Sequence, residues 1–184
     1  MPNIDNELIA NYRASRAAFL RHDIEEAERY YRANRLLGTD LYYEVELPRD
    51  LLLVHPIGTV LGRANYGNWL VAYHGCGVGS DLNGNRPTLG DGVVLFPGAK
   101  VLGSSVIGKN VYITANTVVN GTAVPSNCIV VPGIVGRLTD GEKVFFDMVP
   151  TFIPTKRSVL TDFFAGPRPR SIESIAALGG RWIA

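Results

Sequence analysis

Residues 89–124 read LGDGVV LFPGAK VLGSSV IGKNVY ITANTV VNGTAV, six contiguous hexads. The first position of each is aliphatic: Leu89, Leu95, Val101, Ile107, Ile113, Val119. The fifth is small or β-branched: Val93, Ala99, Ser105, Val111, Thr117, Ala123. Neither a 3.6 nor a simple 2 period accounts for this, so a single helix or an ordinary sheet is a poor reading. A short repeat with one aliphatic and one small residue per unit fits a parallel β-helix, each hexad forming one flat side of a triangular prism. The aliphatic residue fills the narrow axis and the small one fits where the chain turns. Gly90 and Gly108 at second positions suit tight corners.

Upstream the rhythm is weaker. Leu41, Leu47 and Leu53 read as first positions, and Val45, Leu51 and Ile57 as fifth positions. Tyr66–Val71 and Ala72–Gly77 are two further units, displaced by one extra residue placed near 59–65. The polar stretch between Val78 and Leu89 is too long for one prism side and is expected to protrude as a loop. Residues 6–37 read as a helical hairpin: Leu8, Tyr12 and Phe19 share one face, and Ile24, Ala27 and Tyr31 a second. Asp23 with Glu26 resembles a capping box, and Gly38 a stop. After Val131 the repeat dissolves. Residues 142–164 are apolar and punctuated by Pro, as in an irregular cover or arm, and Ser171–Leu178 reads as a short helix. Phe145, Phe146, Phe163, Phe164 and Trp182 are expected to pack on the prism or a neighbour. The expected division is a helical segment 1–38, a β-helix 39–136 and an extension 137–184.

The chain has 184 residues, 46% hydrophobic and 19% charged, with a net charge of +1. The charged share is below the usual ~25%, and the near-neutral balance argues against nucleic acid or an anionic membrane. The start lacks a basic apolar leader, and no apolar run approaches the ~18 residues of a span. Cys76 falls on a fifth position as core filler; with Cys128 the only other cysteine, a reducing cytoplasm is the default. A lone prism exposes broad faces. Trp69, Phe96 and Tyr112 are candidates to occupy them, which points to an interface between copies.

Three histidines exist: His22, His55 and His74. His22 sits in the helix–helix turn as a solvated residue. His55 and His74 both take the third position of their hexads and should occupy the same side of successive coils, ~4.8 Å apart between backbones. An imidazole has the right unperturbed pKa, ~6.5, to act as a base at neutral pH.

Val54-His-Pro-Ile-Gly58 with Gly62, His74 with Gly77-Val-Gly79, Arg86-Pro87 and Gly98-Ala-Lys-Val-Leu-Gly103 resemble, in that order, the serine acetyltransferases among the left-handed β-helix acyltransferases. The resemblance spans roughly residues 50–131. It implies a mainly β, left-handed parallel β-helix, assembly as a homotrimer, acetyl-CoA as acyl donor with no metal, and a small-molecule hydroxyl acceptor bound between prisms. It implies His74 as general base, with His55 and Arg86 as acceptor-binding candidates. Acetyl-CoA would lie over Gly98, Ala99 and Ala115, with Lys100 and Lys109 toward its phosphates. One backbone N–H among Gly75–Gly79 is a candidate for the developing oxyanion. Departures are evident. The family's aspartate two residues before His-Pro is Leu53 here, that before the catalytic histidine is Tyr73, and the loop histidine is missing beside Arg86. Acyl transfer is thus better supported than serine as acceptor. The alternatives are a sugar O- or N-acetyltransferase of bacterial surface-polysaccharide synthesis, a non-catalytic trimeric scaffold, and a zinc carbonic anhydrase. The last lacks a third histidine in the coils.

Overall fold

The computed structural model describes residues 4–138, 144–148 and 150–164. Two helices open the chain, α1 (Ile4–Leu20) and α2 (Ile24–Leu36). The Asp23 carboxylate accepts the Glu26 N–H at 3.0 Å. Glu26 does not reciprocate: the Asp23 N–H donates to the Ala18 carbonyl at 3.0 Å and the Glu26 carboxylate takes Arg21 at 2.8 Å, so the predicted box is half formed. Leu8, Tyr12 and Ala27 are buried as expected, whereas Ile24 is 49% exposed. Its place on the inner face of α2 is taken by Asn34, whose side-chain amide donates to the Leu8 carbonyl.

The remainder winds as a left-handed parallel β-solenoid with three faces. Face I stacks Asp40–Leu41, Val60–Leu61, Gly77–Gly79, Lys100–Leu102 and Val118–Asn120. Face II stacks Leu51–Val54, Leu70–Tyr73, Val93–Leu95, Val111–Ile113 and Cys128–Val131. Face III stacks Asn65–Tyr66, Thr88–Leu89, Val106–Ile107 and Ala123–Val124. All these pairs are parallel. The axis is a buried column of the predicted first positions, Leu89 through Val119, with Val93, Ala99, Ser105, Val111 and Thr117 between them. Ser105 survives there because its hydroxyl donates to the Leu102 carbonyl at 2.7 Å.

Three registers differ from the sequence reading. Leu53 pairs with Ala72, but Leu61 pairs with Val78. Eight residues therefore match six, and two extra residues sit in the His55–Gly58 corner. In the next stretch, Leu61 to Tyr66 runs one residue short of a hexad. The single net insertion expected near 59–65 is thus the sum of two changes. As a consequence Ile57 is 71% exposed and Thr59 is buried in its stead. The Thr59 hydroxyl donates to the Tyr73 carbonyl at 2.6 Å, which satisfies it inside the coil. The last coil is also one residue short. Ile107 pairs with Val124, so Val124 faces the axis and Ala123 faces out.

One end of the core is covered by α1, whose Leu8 and Tyr12 join the axial cluster, and at the other end the face II sheet gains one more strand. At one end, Tyr12 of α1 donates its hydroxyl to the Val45 carbonyl at 2.6 Å and accepts the Leu47 N–H at 2.9 Å. At the other, Thr151–Pro154 pairs antiparallel with Cys128–Val131. Before it, Ile134–Leu138 and Val144–Met148 form an antiparallel hairpin, so the expected irregular arm begins with regular strands.

From Thr155 the chain turns back as a strap over face II. Val159 is fully buried in an outer apolar cluster with Val71, Val94 and Tyr112, against which Phe96, Phe163 and Phe164 also pack. Asn110 ties the strap down: its Oδ1 accepts the Val159 N–H at 2.8 Å and its amide donates to the Arg157 carbonyl at 2.7 Å. Tyr112, expected on an open face, is therefore covered by its own chain. Trp69 stands at a corner, not on a face, with a left-handed φ of 57°. Cys76 and Cys128 are free and buried. The side chains of Phe145 and Phe146, together with Ser171–Leu178 and Trp182, lie outside the described residues.

Candidate functional site

His74 follows the face II strand Leu70–Tyr73 and turns into the face I strand Gly77–Gly79. It is exposed. The corner is built by a ladder of left-handed residues, Gly58, Gly75, Gly98 and Asn116, with φ of 74°, 64°, 76° and 57°. At Gly98 a Cβ would meet the Asn116 side-chain oxygen, and the left-handed φ favours glycine there. The carbonyl of His74 accepts the Gly98 N–H at 3.0 Å. The backbone is thus locked to the neighbouring coil while the imidazole projects outward.

His55 leaves its strand at the equivalent place, since Val54 pairs with Tyr73. The two histidines do exit on one edge. Past that point the two extra residues intervene, and Ile57 takes the rung beneath His74: the Gly75 N–H donates to the Ile57 carbonyl at 2.9 Å. His55, exposed with a φ of 47°, begins a bulge beside the rung.

The oxyanion expectation does not survive at the near glycines. The Gly75 N–H is spent on Ile57, that of Gly77 on the Ala99 carbonyl at 2.9 Å, and that of Cys76 on the Thr59 hydroxyl at 3.3 Å. Parallel pairing consumes the donors that a glycine-rich segment seemed to offer.

Lys100 lies one coil away in register with Gly77. Its stem covers Gly77, where a Cβ would meet Lys100 Cδ at 2.7 Å. Its ammonium donates to the carbonyls of Gly75 and Gly98, the latter at 3.1 Å. Lys100 therefore puts a positive charge at the His74 corner. Lys109 is paired with Asp91 at 3.1 Å on another corner. Ala99 is fully buried in the axis, so its methyl meets no ligand, whereas Ala115 is exposed one residue before Asn116 of that ladder.

Arg86 is exposed at the end of the protruding loop, just before the face III strand Thr88–Leu89. The loop is held by Asp81, which accepts the backbone N–H groups of Asn83 and Asn85 and the Asn85 amide. Arg86 lines a polar cleft of about 360 Å³ with Glu44, Glu46 and Arg63. That cleft does not include His74. The whole face I strand Gly77–Gly79 separates the two corners, on the order of 10 Å at ~3.3 Å per residue. A larger groove of about 940 Å³ runs along α2, beside Ile24, Arg29 and Leu36, and holds none of the candidate residues. Among the described residues no group of three or more His, Cys, Asp or Glu could hold a metal ion.

Sequence reasoning missed the aromatic contact at this edge. Tyr73 stacks on Phe96 with ring centroids 5.3 Å apart and planes at 25°. Burial raises the Tyr73 phenol above its ordinary pKa. The signal was present as outward positions at the ends of neighbouring strands, but their register depends on the insertion lengths.

A family model described as bacterial transferase hexapeptide (six repeats) matches residues 86–121. A serine acetyltransferase of Staphylococcus xylosus is 30% identical over 154 residues, covering 75% of this chain and 70% of that protein. One from Synechococcus elongatus is 39% identical over 107 residues, 56% of this chain and 43% of that protein. The chain thus spans less than half the length of this second relative. Among solved structures, a Neisseria gonorrhoeae serine acetyltransferase in complex with serine has a TM-score of 0.61 at 31% identity, covering 67% of this chain and 52% of that one. A Brucella abortus serine acetyltransferase in complex with Coenzyme A shares the fold, with a TM-score of 0.62 at 21% identity over 80% of this chain and 55% of that one.

Proposed function

The chain belongs to the serine acetyltransferase-like family of hexapeptide-repeat proteins, and on that premise we propose that it transfers an acetyl group from acetyl-CoA to a hydroxyl of a small acceptor, with His74 as general base. The observation that carries the reading is the His74 corner. Its backbone is paired into the coils, its imidazole is exposed, and it follows a strand whose register aligns it with the neighbouring ladder of glycines.

In this mechanism the acceptor oxygen attacks the thioester carbonyl carbon while the His74 imidazole takes the hydroxyl proton. The C–S bond then breaks, and the imidazolium returns that proton to the departing sulfur. Ester and free thiol are the products, and the histidine is restored. A positioned base of this kind contributes ~10²–10⁴-fold.

The chain works as a homotrimer in this proposal. His74 and Arg86 occupy different corners of one prism, so a site containing both takes Arg86 from a neighbouring copy. Arg86 would offer the acceptor's oxygens its fork of N–H donors, and His55 would border the acceptor. Gly98 and Ala115 would border the donor, and so would the backbone of Ala99. Lys100 and Lys109 fit the donor's phosphates less well, because their ammonium groups already serve backbone carbonyls and Asp91. The free, buried thiols suit a reducing cytoplasm; among the described residues no helix is long and apolar enough to cross a membrane. Segments 1–38, 39–136 and 137–184 act as cap, catalytic solenoid and extension, with 155–164 strapped onto the solenoid.

The test is His74→Ala, read by thiol release from acetyl-CoA with a panel of acceptors. The expected result is a loss of ~10²-fold or more in kcat/KM with unchanged melting and sedimentation. Undiminished transfer by a correctly assembled variant refutes the assignment.

A further inference from the structure

The residues around His74 also select the acceptor, and this step rests on His74 being the base. The chain carries no charged residue from Leu51 to Gly62 or from Ala64 to Ser80, and only Lys100 from Gly92 to Gly108. These segments form the coil that bears His74 and much of the coils stacked on either side of it. Among the described residues the acidic side chain that lies over face II is Asp162, and its carboxylate is already engaged by Tyr112 at 2.7 Å and Arg157 at 3.0 Å. The charge that reaches the corner is therefore positive, the ammonium of Lys100 on the Gly75 and Gly98 carbonyls.

An acceptor carrying an ammonium group needs a counter-anion where it loses water. This corner supplies none and adds repulsion. What it offers is Tyr73. Its backbone adjoins His74, its ring is partly exposed, and stacking on Phe96 fixes the plane of that ring. The phenol hydroxyl makes no hydrogen bond with the described residues, and it can both donate and accept. A flat apolar face with a polar tip suits a molecule that is apolar on one side and hydroxylated at its rim. A pyranose ring has that form: axial C–H bonds on a face, hydroxyls around the edge.

We propose that Tyr73 is the specificity-determining residue of the acceptor site, and that the acceptor is a neutral sugar ring seated on the Tyr73 face with its hydroxyl edge toward His74. The place where a carboxylate would hold an amino acid's ammonium is given instead to an aromatic ring. Leu53 cannot substitute, because it is 1% exposed in the axis.

The experiment uses the full chain and acetyl-CoA with four kinds of acceptor: methyl glycosides of neutral hexoses, glucosamine, L-serine and 4-nitrobenzyl alcohol. Neutral glycosides are expected to exceed glucosamine and serine in kcat/KM by about tenfold or more, equivalent to ~1.4 kcal/mol. Tyr73→Ala is expected to raise KM for glycosides, and Tyr73→Phe to retain most of the affinity. Tyr73→Asp is expected to shift the ratio of serine or glucosamine to glycoside upward by about tenfold; circular dichroism melting confirms that each variant is folded. Preference of the wild type for serine, glucosamine or the aromatic alcohol overturns the inference. So does failure to use any neutral glycoside, or an acceptor ratio indifferent to Tyr73→Asp in a folded variant. If His74→Ala abolishes transfer but the Tyr73 variants leave acceptor preference alone, only this inference fails. If His74→Ala is fully active, the assignment of the base fails first.

Discussion

Val159→Ala tests whether the strap belongs to the solenoid's cooperative unit. Val159 is 0% exposed and lies between Val71, Val94 and Tyr112, all buried. The substitution removes the two γ-methyls of valine. At ~0.8 kcal/mol per buried methylene-sized group the transfer loss is about 1.6 kcal/mol. The residual cavity adds to it, because Gly92 beneath has no side chain to move in and a Cβ there would sit 3.4 Å from Val159 Cβ. A total of about 2–3 kcal/mol follows. For a chain of this size each kcal/mol moves Tm by ~2–4 °C, so a fall of about 4–12 °C is expected by differential scanning calorimetry. Trypsin supplies a second readout at Lys156 and Arg157: cleavage should rise only in step with global unfolding. If Tm is unchanged while cleavage at Arg157 accelerates, the strap opens locally and independently, and the view of it as an integral cover of face II is wrong.

Three other outcomes are expected. Asn110→Ala should destabilise by about 2–4 kcal/mol in urea unfolding, since it loses the bonds to Asn127, Arg157 and Val159 and forces alanine into a φ of 55°. Asn110→Gly should cost about 1 kcal/mol less, because glycine adopts that φ freely; equal costs would show that backbone conformation plays no part. Asp91 is held below the usual carboxylate pKa by hydrogen bonds from Lys109 and from the Asn68 N–H. A group whose folded pKa is depressed contributes stability above its unfolded pKa, ~3.9, and loses it as pH falls through the folded value. Asp91→Asn should therefore flatten the acid limb of the stability–pH curve below about pH 4 and leave its alkaline limb alone; an unchanged acid limb would show that the ion pair contributes nothing.

The axis of the solenoid was legible in the chain because hexad periodicity is a local property. An aliphatic residue every sixth place has one way to be buried in a three-sided coil, and Leu89, Leu95, Val101, Ile107, Ile113 and Val119 all occupy it. The exposed edge shared by His55 and His74 followed from the same counting. Register at the irregular coils did not. Ile57 and Ala123 read as fifth positions because an insertion or deletion at a corner leaves no mark on periodicity until the pairing of the next coil is known.

By itself, the order of residues determined that this protein is a prism of stacked hexads with two histidines on one edge, because repetition and side-chain volume act over six residues. Only the tertiary structure decided which groups meet across coils and across the strap. It paired Tyr73 with Phe96, spent the glycine N–H groups on neighbouring carbonyls, set Lys100 at the His74 corner and hid Tyr112 beneath Val159. Those contacts join residues 18 to 47 positions apart, and the number of residues in each corner sets which of them align.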